Sequence, residues 1–304
     1  MSAMETRVFP MDAAAGRCLS EALSQAGYAF RPAPYAQFQA QGDGVTVTLY
    51  TSGKLVVQGR ELDAWTRRFL EPGAAPLQPG ARPGDLPLAL DAPALGSDEA
   101  GKGDTFGPLA VCAVAARPGD RALLEEAQVG DSKRMSDARV RALAALLRER
   151  LPCEERVLEP EEYNRRHAAS GSVNRLLASL HLEVLSALHR RTGIRTALVD
   201  RFSDERPVTA AVRAAGIPVQ VVEVPRAERH PAVAAASVLA RDRFLEGMRA
   251  LKEFAAVDLP LGSGAPVAPA LRRALRIHGA AGLPRLAKLH FRNVQQALAE
   301  LPWS

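Results

Sequence analysis

The apolar positions along the chain follow two different rhythms, separated by a stretch that has none. Near the start, Tyr35–Gln41, Gly44–Ser52 and Lys54–Gly59 alternate apolar and polar residues with a period of two, the pattern of half-buried strands. Gly42-Asp43-Gly44 and Ser52-Gly53 supply turn residues between them, which predicts an antiparallel meander. A helix over Met11–Ala26 precedes the meander and the helical pattern LDAWTRRFLE follows it. Residues 72–93 then contain six prolines and three glycines, a composition that lacks donors and resists helix. Structureless loops of that length are uncommon inside compact domains, so the segment reads as a linker. Beyond it the pattern lengthens. Strands are expected at Ala94–Asp98, Leu109–Ala115, Val157–Glu159, Thr196–Asp200 and Val219–Val224. Helices are expected at Ser136–Leu151, with Val140, Leu143, Leu147 and Leu151 on one face and Ser136 as N-cap, and at Val173–Arg190, with Leu177, Leu180, Val184 and Leu188 on one face. A third helix follows in PAVAAASVLARDRFLEGM. Strands alternating with helices predict an α/β sheet domain. The expected division is an N-terminal domain over residues 1–71, a linker over 72–93 and a larger domain over 94–304.

Composition narrows the function classes. The 304 residues carry a formal charge of +5, which favours a polyanionic partner without requiring one. Cys18, Cys112 and Cys153 are odd in number and far apart, so neither a zinc ribbon nor a disulfide framework is encoded, and a reducing cytoplasmic setting is expected. The first residues lack the basic-then-apolar pattern of a signal peptide, and no apolar run reaches the roughly 18 residues of a membrane helix. No membrane association and no obligate protein partner are expected.

The densest chemistry lies in Gly96-Ser-Asp-Glu-Ala-Gly-Lys-Gly-Asp-Thr-Phe-Gly107. Asp98 and Glu99 end an apolar strand and run into a glycine-rich turn, a suitable place to hold a hard cation and admit a phosphate. Composition alone equally allows an acidic, solvated hairpin turn. A nucleotide-binding loop is the weaker option, because the glycines at 101, 103 and 107 do not fit GxGxxG and no GK[ST] follows. Asp200 closes the apolar run ALVD, at the sheet edge where α/β sites tend to form, or caps a turn there. Glu228 precedes a long helix, where an acid also complements the helix dipole. From Leu259 to Ala299 there is no acidic residue, while Arg272, Arg273, Arg276, Arg285, Lys288 and Arg292 are present, which leans toward phosphate contacts. His167, His181, His189 and His230 have no metal-ligand spacing and read as structural or surface residues.

Taken together, these segments resemble the type 2 ribonucleases H, and specifically ribonuclease HIII. LGSDEAGKGDTFGPLAV is similar to that family's first active-site motif, VGDSKRMSD to its DSK loop, and YNRRHAASGSVNRLLASLHLEVL to its conserved helix. LVDRFS, RAERHPAVAAASVLAR and LAKLHFRNVQQAL resemble its third-acid segment, its fourth-acid segment and its C-terminal helix. YAQFQAQGDGVTVTLYTSGKLVVQG is similar to the family's N-terminal substrate-binding domain. Arg226 and Arg134-Met135 depart from the usual lysine and Lys-Leu but leave the acids in place.

The resemblance implies an α/β architecture: a ribonuclease H-like mixed-sheet catalytic domain with a small N-terminal α+β domain of TATA-binding-protein-like fold. It implies an endoribonuclease that hydrolyses the RNA strand of RNA–DNA hybrids with two metal ions, leaving 5′-phosphate and 3′-hydroxyl ends. Asp98, Glu99, Asp200 and Glu228 become the catalytic, metal-binding carboxylates. The backbone of Gly101, Lys102 and Gly103 becomes the reader of the ribose 2′-hydroxyl, and Ser132 and Lys133 hold a phosphate. In the N-terminal domain Tyr50 and Lys54 are candidates for hybrid contact, together with Gln58 and Phe38, the latter reading more readily as core. All-oxygen ligands suit Mg2+, with Mn2+ as a substitute. The competing reading is a non-catalytic protein that binds RNA–DNA hybrids.

Overall fold

The computed structural model describes residues 5–11, 13–51, 53–60, 62–70, 90–127, 129 and 135–300. Two compact units divide the chain, residues 1–85 and 86–304. Most of the proline-rich segment expected as a linker lies outside the described residues.

The first unit is a five-stranded antiparallel sheet with two helices. Strands β1 (Glu5–Pro10), β2 (Ala29–Arg31), β3 (Ala36–Gly42), β4 (Val45–Tyr50) and β5 (Lys54–Gly59) are arranged β1-β5-β4-β3-β2. The expected meander is β3-β4-β5, extended by β2 at one edge. β1 pairs with β5 at the other, Val8 opposite Val56. Neither edge strand is legible from alternation, since β2 is three exposed residues and β1 mixes charged with apolar positions. Helices α1 (Ala13–Gln25) and α2 (Leu62–Phe69) contribute Leu19, Leu23, Leu62 and Trp65 to a core with Val45, Val47, Leu49, Leu55 and Val57.

The second unit is built on a five-stranded mixed sheet. Strands β6 (Ala94–Ala100), β7 (Leu109–Ala116), β8 (Cys153–Leu158), β9 (Thr196–Asp200) and β10 (Gln220–Val224) are arranged β10-β9-β6-β7-β8. β6 is parallel to β9 and antiparallel to β7. Every residue of β7 is buried, so its sequence LAVCAVAA is a continuous apolar run rather than an alternation. Its side chains divide between two cores. Cys112 and Val114 pack toward α4 (Asp137–Arg150) and α8 (Pro231–Ala255), while Val111 and Ala113 pack toward α6 (Val173–Thr192) and α7 (Pro207–Ala214).

α4 begins as expected, with Ser136 Oγ accepting from the Arg139 amide at 3.3 Å. Where α4, α8 and β8 meet, Arg148 donates to Glu155 at 2.8 Å and to Asp242 at 2.7 Å, and Arg243 also pairs with Glu155. The remaining helices are α3 (Arg121–Glu126), α5 (Pro160–Ser170), α9 (Val267–Gly282) and α10 (Arg292–Ala299). α5 has no apolar stripe; only Pro160 and Tyr163 are buried on it, which explains its silence in the periodicity. The segment LAKLHFRNVQQAL is helical only from Arg292. Its first residues form turns around an isolated bridge instead: Ala287 bridges Phe106, and the Lys288 amide donates to the Thr105 carbonyl at 2.9 Å.

Candidate active site

The alignment of β6 and β9 brings two of the carboxylates to neighbouring positions. Ser97 lies opposite Val199 in the parallel register, so the next positions along the two strands are Asp98 and Asp200. Both acids therefore sit at the carboxyl ends of parallel strands, the usual location of a ligand site in an open α/β sheet. β9 also pairs with β10, whose Val224 lies opposite Asp200. The chain then turns at Arg226, which adopts a left-handed φ of 55°, into a short 3-10 turn over Ala227–Arg229. The Ala227 amide donates to Asp200 Oδ1 at 3.0 Å, which fixes the turn carrying Glu228 beside the strand-end acids. His230 closes this turn; its Nδ1 accepts from the Ala232 amide at 3.3 Å and caps α8.

Neighbouring residues on a strand point to opposite faces, so Asp98 and Glu99 begin in different surroundings. Gly96 and Asp98 face α8. A Cβ on Gly96 would lie 2.2 Å from the backbone of Ala232, so α8 rests directly on the strand there. From the same helix Ser237 hydrogen-bonds to Asp98, whose Oδ1 also accepts from the Glu99 amide at 2.8 Å. Burial, then the charge of Glu99, then that of Asp200 push the Asp98 carboxyl up to about 8.

Glu99 faces α6. Its Oε2 lies 3.4 Å from His181 Nε2 and its Oε1 lies 3.6 Å from Lys102 Nζ. Burial alone would raise this carboxyl, but His181 and Lys102 together hold it below the usual carboxylate range. The Lys102 ammonium lies 4.6 Å from the centre of the Phe202 ring, and the same ring stacks on His181. His181 thus belongs to the site's surroundings and is not merely a core residue. The sequence did carry a signal: a histidine standing on the apolar stripe of α6, four residues after Leu177 and three before Val184.

The glycine-rich loop is half clamped and half open. Gly101 has φ +88°, and a Cβ there would meet the Pro108 carbonyl at 2.2 Å and the Phe244 ring, so its glycine is required by the fold itself. From Asp104 onward the loop is tied to the C-terminal segments. Asp104 accepts from the Gly262 amide at 2.6 Å, the Thr105 amide donates to the Gly262 carbonyl at 3.0 Å, and Asn293 donates to Thr105 Oγ1 at 3.0 Å. Lys288, counted in the sequence among residues leaning toward phosphate, is fully buried here. It donates to the carbonyls of Asp104 at 3.0 Å and Gly107 at 2.6 Å, and burial pulls its ammonium down to about 7. By contrast Gly103 is exposed, and a Cβ there would touch nothing within 4 Å.

Other expected site residues fall in different places. Tyr50 ends β4 and Lys54 begins β5, so both flank one hairpin of the first unit. Phe38 is half-buried and contacts Phe30, whose ring is exposed; Gln58 is exposed on β5. Ser132 and Lys133 lie outside the described residues.

Among the described residues, no three histidine, cysteine or acidic side chains already converge as a metal cluster. Three of the four acids are instead held by a neighbour: Asp98 by Ser237, Glu99 by His181 and Lys102, Asp200 by the Ala227 amide. The donor set still suits a hard cation. It consists of carboxylate oxygens, and burial beside Glu99 and Asp200 destabilises Asp98 as an anion, which a cation would relieve.

A family model described as Ribonuclease HII matches residues 95–294, and one described as Domain of unknown function (DUF3378) matches residues 23–79. The ribonuclease HIII of Protochlamydia amoebophila (strain UWE25) is 33% identical over 302 residues, covering 99% of each chain. The chain belongs to the ribonuclease HIII family. The ribonuclease HIII of Chlamydia pneumoniae is 35% identical over 282 residues, covering 91% of this chain and 93% of that one. Among solved structures, Bst-RNase HIII crystallised in complex with Mn2+ is 30% identical with a TM-score of 0.65, covering 97% of this chain and 98% of that one. The mixed-sheet architecture is therefore that of ribonuclease HIII, and the enzyme is a metal-dependent ribonuclease H acting on RNA–DNA hybrids. No helix among the described residues is long and apolar enough to cross a membrane.

Proposed function

We propose that the enzyme is an endonuclease that hydrolyses the RNA strand of RNA–DNA hybrids with Mg2+, Mn2+ serving as a substitute. The observation that carries this reading is the crowding of Asp98, Glu99 and Asp200 at the ends of two adjacent parallel strands, with the Glu228 turn tied to Asp200. These four acids would hold two divalent ions, which supply an activated water and a stabilised leaving oxygen and so leave 5′-phosphate and 3′-hydroxyl ends. Hydrogen bonds from Ser237 and the Ala227 amide would hold Asp98 and Asp200 in place, and His181 and Lys102 would hold Glu99. The competing reading, a hybrid-binding protein without activity, would be favoured by the loss of an acid; all four are present.

The clamped half of the glycine loop presents its open half, Lys102 and Gly103, beside Glu99. In this reading the backbone there meets the ribose 2′-hydroxyl of the RNA strand, a contact that only close backbone approach allows. Ser132 and Lys133 would hold a neighbouring phosphate. The first unit, residues 1–71 in the division proposed from the sequence, would add hybrid contacts through Tyr50 and Lys54.

Gly103→Ala tests the loop. The open surroundings of Gly103 tolerate a methyl group, so the melting temperature should be unchanged or slightly raised. A methyl group between backbone and sugar should nonetheless raise the Michaelis constant for hybrid by about tenfold, equivalent to about 1.4 kcal/mol. A stable variant with an unchanged Michaelis constant would remove the loop from substrate recognition.

A further inference from the structure

The side of Glu99 that faces α6 is built more carefully than a carboxylate in a polar cleft requires. His181 is fully buried, and its Nε2 and Glu99 Oε2 lie at an ion-pair distance of 3.4 Å, neither atom forming a hydrogen bond among the described residues. On the far side of the imidazole, Nδ1 lies 2.8 Å from Ser97 Oγ, itself buried and 3.0 Å from the Cys112 carbonyl. The ring is stacked on Phe202, with centroids 5.8 Å apart and planes 19° from parallel. The imidazole therefore has its position fixed from two directions and one nitrogen aimed at an acid of the site.

Hydrogen counting decides what that nitrogen presents. Ser97 has one hydroxyl hydrogen. Given to the ring, it makes Nδ1 an acceptor and leaves the ring hydrogen on Nε2. Given to the Cys112 carbonyl, it requires a hydrogen on Nδ1, and then only a second ring hydrogen avoids a lone pair facing a carboxylate oxygen. Both satisfied arrangements place a hydrogen on Nε2, directed at Glu99 Oε2.

We propose that His181 is a positioning residue, held by Ser97 and Phe202, that fixes the rotamer of Glu99 by donating from Nε2 so that the other carboxylate oxygen is presented to the metal. The proposal rests on the reading of Glu99 as a metal ligand. Partners that orient a ligating carboxylate typically govern metal affinity by about 10- to 100-fold. His181 touches neither substrate nor metal, so its removal should change the response to metal while leaving recognition of the hybrid alone.

The test is Mn2+ binding to the substrate-free full chain, followed by calorimetry and electron paramagnetic resonance, with the Michaelis constant for hybrid measured in parallel. His181→Phe keeps a flat ring on Phe202 but has no donor. It should bind Mn2+ about 10- to 100-fold more weakly than wild type, with an unchanged Michaelis constant for hybrid at saturating metal. His181→Gln places an amide donor near the position of Nε2 and should recover most of the affinity. Wild-type Mn2+ affinity in His181→Phe, or equal weakening in the two variants, would overturn the proposal. If His181→Phe does not fold, His181→Asn takes its place, because that amide reaches the Ser97 side and not Glu99. Weak Mn2+ binding by it supports the proposal and wild-type binding overturns it. A wild-type chain that binds no Mn2+ would contradict the metal-site reading of the acids themselves, a separate result.

Discussion

Asp98→Asn is expected to lower hybrid cleavage by about 10³-fold or more while leaving the protein at least as stable as wild type. The loss follows from charge. An amide keeps the shape of the side chain and can still accept from the Glu99 amide, but it removes one negative charge from the group that would hold the cations. Several kcal/mol of transition-state stabilisation depend on those cations, and about 1.4 kcal/mol corresponds to a factor of ten in rate. The stability follows from crowding. Without a cation, burial and the charges of Glu99 and Asp200 act against the Asp98 carboxylate, pushing its pKa up to about 8. A neutral amide removes that repulsion, so catalytic function and stability should move in opposite directions, as at sites strained for their chemistry. Steady-state rates and a thermal melt without metal check both halves. Turnover close to wild type would contradict the assignment of Asp98.

Gly96→Ala should strongly destabilise the second unit. A Cβ at Gly96 would lie 2.2 Å from the carbonyl carbon of Ala232, 2.3 Å from the amide nitrogen of Val233 and 2.4 Å from the carbonyl oxygen of Ala232. All three are backbone atoms in the first turn of α8, so no flexible side chain can move aside. Overpacking of this kind costs about 3 kcal/mol, or roughly 10 °C in melting temperature for a unit of this size. Activity should fall as well. α8 carries Ser237 against Asp98, and the turn leading into it carries Ala227 against Asp200. Displacing the helix therefore displaces the partners of two acids. A variant that melts and cleaves like wild type would show that α8 does not set the site.

β7 and β9 were legible in the sequence as apolar runs, and Thr196–Asp200 is found with the expected limits, whereas β6 runs on through its two acids to Ala100 and the strand expected at Val157–Glu159 begins instead at Cys153, where charged residues hide it. The four acids were legible only in combination, since Asp200 and Glu228 alone are ordinary turn or pre-helix residues. What sets Asp98 beside Asp200 is register, Ser97 against Val199, and register between strands some 100 residues apart has no local signature. Lys288 was misjudged, and the neighbours of His181 went unread, for a shared reason: the role of a polar residue depends on what burial places opposite it. His181 faces Glu99 across a buried gap. Lys288, in a stretch free of acids, turns inward to two carbonyls of the glycine loop. The glycines also divide in a way their spacing does not reveal, Gly101 serving the turn itself and Gly103 leaving space open to solvent.

Hybrid-specific, metal-dependent cleavage is tested most directly by comparing matched RNA–DNA, RNA–RNA and DNA–DNA duplexes treated with the full chain, with Mg2+ and with chelator, and with the ends of the products mapped. The expected result is cutting confined to the RNA strand of the hybrid, dependent on Mg2+, with 5′-phosphate and 3′-hydroxyl ends. Cleavage that persists in chelator, or that treats the three duplexes alike, would contradict it.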